Sequence, residues 1–126
     1  MHDSERKAND LDIMALDWVR LGEVEQLVLL AVLRLQGEAY AVPIRELIKN
    51  TTGVDLSRGS VYITLDRLET KGLVESWFSE PTAEPGGKAR RLFRIHPEGV
   101  AALKGARRAI DRLAAGTVLA RPKGRL

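Results

Sequence analysis

A chain of 126 residues, 44% hydrophobic and 29% charged, can bury one core and does not have the composition of a disordered polypeptide. It has no cysteine and only His2 and His96, which excludes disulfides and thiolate chemistry and leaves metal or histidine-based catalysis poorly supplied. The net charge of +3 is unevenly spread: residues 1–26 carry −4 and residues 27–126 carry +7, an acidic lead on a basic body suited to a polyanionic partner.

Met1–Asn9 is polar and reads as a frayed end. Leu11, Met14 and Trp18 then recur at i, i+3 and i+7 behind Asp10, predicting a short helix that ends at Arg20. After Gly22, EVEQLVLLAVLRLQ places Val24, Leu27, Val28, Ala31, Val32 and Leu35 on one helical face. Further leucines widen that stripe, so burial on most sides is expected, with Gly37 as the stop. Its apolar run Leu27–Leu33 is too short to span a bilayer and no signal peptide precedes it, which predicts a cytoplasmic protein without membrane contact.

Pro43 suits the first turn of the next helix, whose inner face is Ile44, Leu47 and Ile48 and whose stop is Thr51-Thr52-Gly53. A third helix starts at the N-cap Ser57 and runs through SRGSVYITLDRLETKG to Gly72. Val61, Leu65 and Leu68 form its core stripe, while Gly59, Tyr62, Ile63, Asp66 and Arg67 lie opposite. A Tyr and an Ile on the outer face of a helix are a signal in themselves, because charge is expected there.

LVESWF (73–78) and RLFRI (91–95) read as strands, joined by the proline- and cation-rich loop EPTAEPGGKAR with Gly86-Gly87 as its reversal. Pro97 opens the last helix, in which Val100, Leu103, Ala106, Ile110 and Leu113 form a seam of threes and fours like that of a helix pairing with a helix. Gly99 and Gly105 weaken that helix intrinsically and argue for a stabilising partner surface. The chain therefore divides into an arm with a short helix (1–20), a core domain (21–96), a dimerisation helix (97–118) and a flexible basic tail (119–126).

The predicted class is mainly α with a small β-hairpin (α+β), and three helices followed by a hairpin is the order of a winged helix-turn-helix. In that arrangement the third helix enters the major groove and the hairpin tongue lies on the neighbouring backbone. The first turn, Ser57, Arg58, Gly59 and Ser60, offers free N–H groups and positive dipole to a phosphate. Tyr62 reaches phosphate or sugar, Ile63 a thymine methyl, and Arg67 lies further along the same face. Gly87, Lys88, Arg90 and Arg91 make the tongue, with Arg94 deeper in the strand as a shield for the sheet. If Arg58, Lys88, Arg90 and Arg91 each neutralise one phosphate, a dimer neutralises about eight and log affinity falls against log salt with a slope of roughly −7. The alternative is a winged-helix protein–protein module without DNA binding, against which the cations of the tongue count. No cofactor or metal is expected, and no nucleophile–base pair or phosphate loop suggests an enzyme.

LGEVEQLVLLAVLRL, SRGSVYITLDRLETKGLVES and EPTAEPGGKARRLFRIHPEG resemble the PadR family of winged-helix transcriptional regulators, a similarity running from Leu21 to about Leu113. The resemblance implies a homodimer built largely on the C-terminal helix, repression through an operator, and release by a small, often aromatic or cationic, effector. It matches Tyr62 to the tyrosine of the family's recognition helix, and Gly86, Gly87, Lys88 and Arg90 to its wing. The chain departs from the family pattern at Ala41, Pro43 and His96. His96 replaces a usual Thr cap, so a poorly capped last helix is expected. The single C-terminal helix leaves little room for a dedicated ligand domain.

Overall fold

Capping chemistry sets most element boundaries. The computed structural model describes residues 20–81 and 89–120. They form α1 (Glu23–Leu35), α2 (Ala41–Thr52), α3 (Arg58–Thr70), β1 (Val74–Phe78), β2 (Arg91–Ile95) and α4 (Pro97–Ala114). The Ser57 side chain accepts the Ser60 N–H at 3.0 Å, as an N-cap should. Gly72, at φ +75°, closes α3 as a Schellman motif: Leu73 N–H donates to Leu68 O and Gly72 N–H to Glu69 O, both at 2.9 Å. Gly53 ends α2 in the same left-handed region and donates to Lys49 O at 2.8 Å. The expected arm helix over residues 11–20 and the Gly86-Gly87 reversal lie outside the described residues, apart from Arg20.

The strands pair antiparallel, with Val74 opposite Ile95 and Phe78 opposite Arg91. A one-residue bridge extends this ribbon: Ala39 accepts the Phe93 N–H at 2.8 Å, tying the α1–α2 connection to β2. Phe93 is fully buried, together with Val28, Leu29, Ile44, Val61, Leu65 and Leu68, so α1, α2, α3 and the hairpin close one core. Of the expected inner faces, Val28, Ala31, Val32, Ile44, Ile48, Val61, Leu65 and Leu68 are buried in it while Val24, Leu27, Leu35 and Leu47 are half-buried, and Thr64 joins them, its hydroxyl donating to Ser60 O at 2.7 Å.

Two expectations are corrected. The first helix is not buried on most sides: Val28, Leu29, Ala31 and Val32 are buried, whereas Leu30 and Leu33 are exposed. With Leu27, Leu47 and Ile48 they line an open apolar groove of 520 Å³. Nor is α4 left without a cap, because His96 Nδ1 accepts the Glu98 N–H at 3.1 Å and the His96 carbonyl accepts from Gly99 at 2.7 Å. An imidazole performs the task expected of a Thr hydroxyl.

Gly22–Val100 form one compact unit, and the stretch from Ala101 belongs to a second. Within α4, Leu103 and Ala106 are buried and Val100 is half-buried, while Ile110 and Leu113 are 64% and 85% exposed. The seam predicted as a single dimerisation stripe is thus divided: its first part is already covered within the chain, and its last two members face solvent.

Candidate nucleic-acid interface

The outward side of α3 follows from its inward side. With Val61, Leu65 and Leu68 held in the core, the 100° step between residues turns Tyr62 and Ile63 away from it, and they are 41% and 56% exposed. Ser57, Arg58, Gly59 and Ser60 form the exposed first turn. Ser57 Oγ accepts the Ser60 N–H and its hydroxyl donates to Ser60 Oγ at 2.9 Å, which fixes the entry to the helix. A Cβ on Gly59 would meet nothing within 4 Å, so nothing inside the described chain requires glycine there.

Charges near this face divide into committed and available. Among the described residues, Arg58 and Arg90 enter no ion pair. The Arg90 guanidinium stacks over the Tyr40 ring at 4.7 Å, and its backbone N–H donates to Ser79 Oγ at 2.9 Å. Arg91 is committed. Its Nη1 lies 3.0 Å from Asp66 Oδ1 and its Nη2 2.7 Å from Glu69 Oε1, while the guanidinium lies 4.9 Å from the Phe93 ring centre. Sequence reading had assigned Arg91 to phosphate alongside Arg58 and Arg90; its geometry differs from theirs because α3 supplies two carboxylates one turn apart, directly facing β2. Arg94 pairs with Glu75 at 2.8 Å and stacks on Trp77, in keeping with a role at the sheet. Arg67 is exposed beside Ile63 and Asp66. Gly87 and Lys88 lie outside the described residues.

Two further pieces escaped the sequence reading. Arg45 donates to Leu56 O at 2.5 Å and reaches Asp55 at 3.4 Å, which pins the α2–α3 connection. Glu25 joins α1 to the end of α3 through Lys71 at 2.7 Å. Burial alone would raise the Glu25 carboxyl, but the Lys71 and Gly22 hydrogen bonds and the charges of Lys71 and Arg67 outweigh it and hold the group below its ordinary 4.5. Such pairs are invisible in sequence because the partners lie 10 to 46 residues apart, beyond any helical or strand period. No described helix is long and apolar enough to cross a membrane, and no cluster of metal ligands occurs among the described residues.

Helices closing on a two-stranded wing, with α3 presenting an exposed first turn free of acidic residues and an exposed Tyr and Ile, define a winged-helix fold. The chain belongs to the PadR-like family of transcriptional regulators, whose pattern matches residues 29–105. The transcriptional regulator Rv3488 of Mycobacterium tuberculosis is 44% identical over 62 residues, 49% of this chain and 54% of that protein, so the match spans about half the relative's length. A transcriptional regulator from Clostridium thermocellum is similar in structure at a TM-score of 0.61 and 25% identity, covering 72% of this chain and 85% of that one. A PadR-like transcription factor from Bacteroides fragilis has a TM-score of 0.63 at 22% identity, with 75% and 85% covered, a likeness of fold.

Proposed function

We propose that the chain represses transcription by binding a pseudo-palindromic DNA operator as a homodimer. The observation that carries this reading is the outer face of α3. Glycine at position 59 has no internal reason and lowers helix stability, and it stands next to an unpaired Arg58 and the exposed Tyr62 and Ile63. A surface that must be approached by another backbone explains all four. Ser57, Ser60 and Arg67 complete the groove-facing side, and Gly87, Lys88 and Arg90 complete the wing. Ile110 and Leu113, together with the open groove bearing Leu30 and Leu33, are apolar surface of the kind a second copy covers.

With Arg91 already paired, Arg58, Lys88 and Arg90 remain as phosphate ligands, about six per dimer, and the expected salt slope becomes roughly −5. Release by a small effector belongs to the same proposal. The 390 Å³ cavity lined by Tyr40, Glu38 and Arg90 would let a ligand compete for an arginine that the wing offers to phosphate. Thermal shift against aromatic cations and phenolic acids tests that part.

Selection of duplexes from a random pool tests the whole. An enriched inverted repeat with half-sites a helical turn apart, or a multiple of it, is the expected result. A salt slope near zero with no enrichment would instead support the protein–protein module, with Tyr62 and Ile63 as its contact face.

A further inference from the structure

We infer that Arg91 is a positioning residue that sets the wing against α3, and that it is not one of the chain's phosphate ligands. The inference rests on the DNA-binding reading above and gives one residue of that site a different task.

The argument is geometric. Asp66 and Glu69 lie one turn apart on α3, where their charges repel each other and would repel a nearby phosphate. Arg91 enters from β2 and donates one guanidinium nitrogen to each, at 3.0 and 2.7 Å. Its Nε is directed at Ser76 Oγ across the hairpin, at 3.4 Å, and the Ser76 hydroxyl in turn donates to the second oxygen of Glu69. One planar fork thus joins α3, β1 and β2, a constraint on angle as well as distance that a flexible ammonium could not impose. The Arg91 side chain is only 26% exposed, with the buried Phe93 ring beneath it. The neighbouring Arg90 has no carboxylate partner among the described residues, so the two adjacent arginines of the wing divide the work: Arg90 is available to phosphate and Arg91 holds the wing in place. Both strands leave this clamp toward Ser79 and Arg90, which are joined by two hydrogen bonds, so a change of hairpin angle at Arg91 moves Arg90 with it.

The test compares Arg91→Met, Arg91→Lys, the double variant Asp66→Asn/Glu69→Gln and the triple variant combining Arg91→Met with both. Each is measured for binding to a duplex enriched by the wild-type chain, across a salt series. Arg91→Met should weaken binding by about tenfold or more with the salt slope unchanged, and Arg91→Lys should fall between it and wild type. The double variant should also weaken binding, although it removes negative charge. The triple variant should not recover. In the free protein, hydrogen exchange at the Ser79 and Phe93 amides should quicken in Arg91→Met while the helices keep their protection.

Tighter binding by the double variant, with a slope steeper by about two per dimer, would make Arg91 a phosphate ligand held in check and overturn the inference. Recovery in the triple variant would reduce Arg91 to a charge shield and overturn it equally. Wild-type and Arg91→Met chains that bind alike would sink the inference alone, whereas a wild-type chain that binds no duplex would sink the DNA-binding reading itself.

Discussion

At the scale of single residues, the exceptions to ordinary preference are the informative ones. Gly59 stands in the first turn of α3 with open space around it, where alanine would favour the helix. Gly59→Ala should therefore raise fold stability by up to about 1 kcal/mol, read as a higher melting temperature. On the proposed DNA-binding function, duplex affinity should fall by about tenfold in the same variant, because a methyl group would stand on the face assigned to the DNA backbone. A variant both more stable and equally tight would remove the reason offered for this glycine. Glu25 makes a different case. Its folded carboxyl is held below 4.5, chiefly by Lys71, and so it contributes stability that is complete above 4.5 and lost as pH falls through the lowered value. Glu25→Gln should lose stability at neutral pH, and the gap from wild type should close under acid. Melting curves from pH 7 down to about 3 check both the sign and the window.

At the scale of elements, junctions matter more than propensities. Sequence reading took Gly99 as a weakness of the last helix, but the structure gives it a steric reason. A Cβ there would lie 2.3 Å from the Leu73 carbonyl oxygen and 2.8 Å from Ile95 Cγ1. That same carbonyl accepts the His96 N–H at 2.9 Å, so the start of α4 is seated directly on the entry to β1. Gly99→Ala should destabilise the fold by about 1–3 kcal/mol despite its better helix propensity, as overpacking against backbone does. Chemical denaturation measures it, and a stabilised variant would contradict the geometry. The wing obeys the same logic. Its two strands were legible from LVESWF and RLFRI, but the bridge from Ala39 to Phe93 was not, since a single residue of extended chain has no periodicity to detect.

For the whole molecule, the decisive surfaces are those that one copy leaves uncovered. Ile110 and Leu113 are the part of the α4 seam not buried within the chain. If the proposed homodimer forms through this surface, Ile110→Glu/Leu113→Glu should raise its dissociation constant by about a hundredfold, corresponding to about 3 kcal/mol of apolar burial lost. Equilibrium sedimentation reads this directly, and the wing and α3 should keep their circular dichroism. Affinity for a two-half-site duplex should fall in step, while a single half-site should be bound as before. A dimer indifferent to these charges would place the interface elsewhere, with the groove of Leu30 and Leu33 the next surface to alter.

Local patterning was enough to specify the elements between residues 23 and 114 and the outer face of α3. Hydrophobic spacing and caps are local, so Ser57, the Val61–Leu65–Leu68 stripe and Gly72 defined that helix, and with it the direction of Tyr62 and Ile63. Tertiary structure alone decided which charges are spent inside the fold. Arg90 and Arg91 are adjacent and alike in sequence, yet one stacks on Tyr40 and the other is held by two carboxylates 25 and 22 residues away. Coulomb attraction depends on distance in space, and the path of the chain brings α3 to β2 only once the core between them has closed.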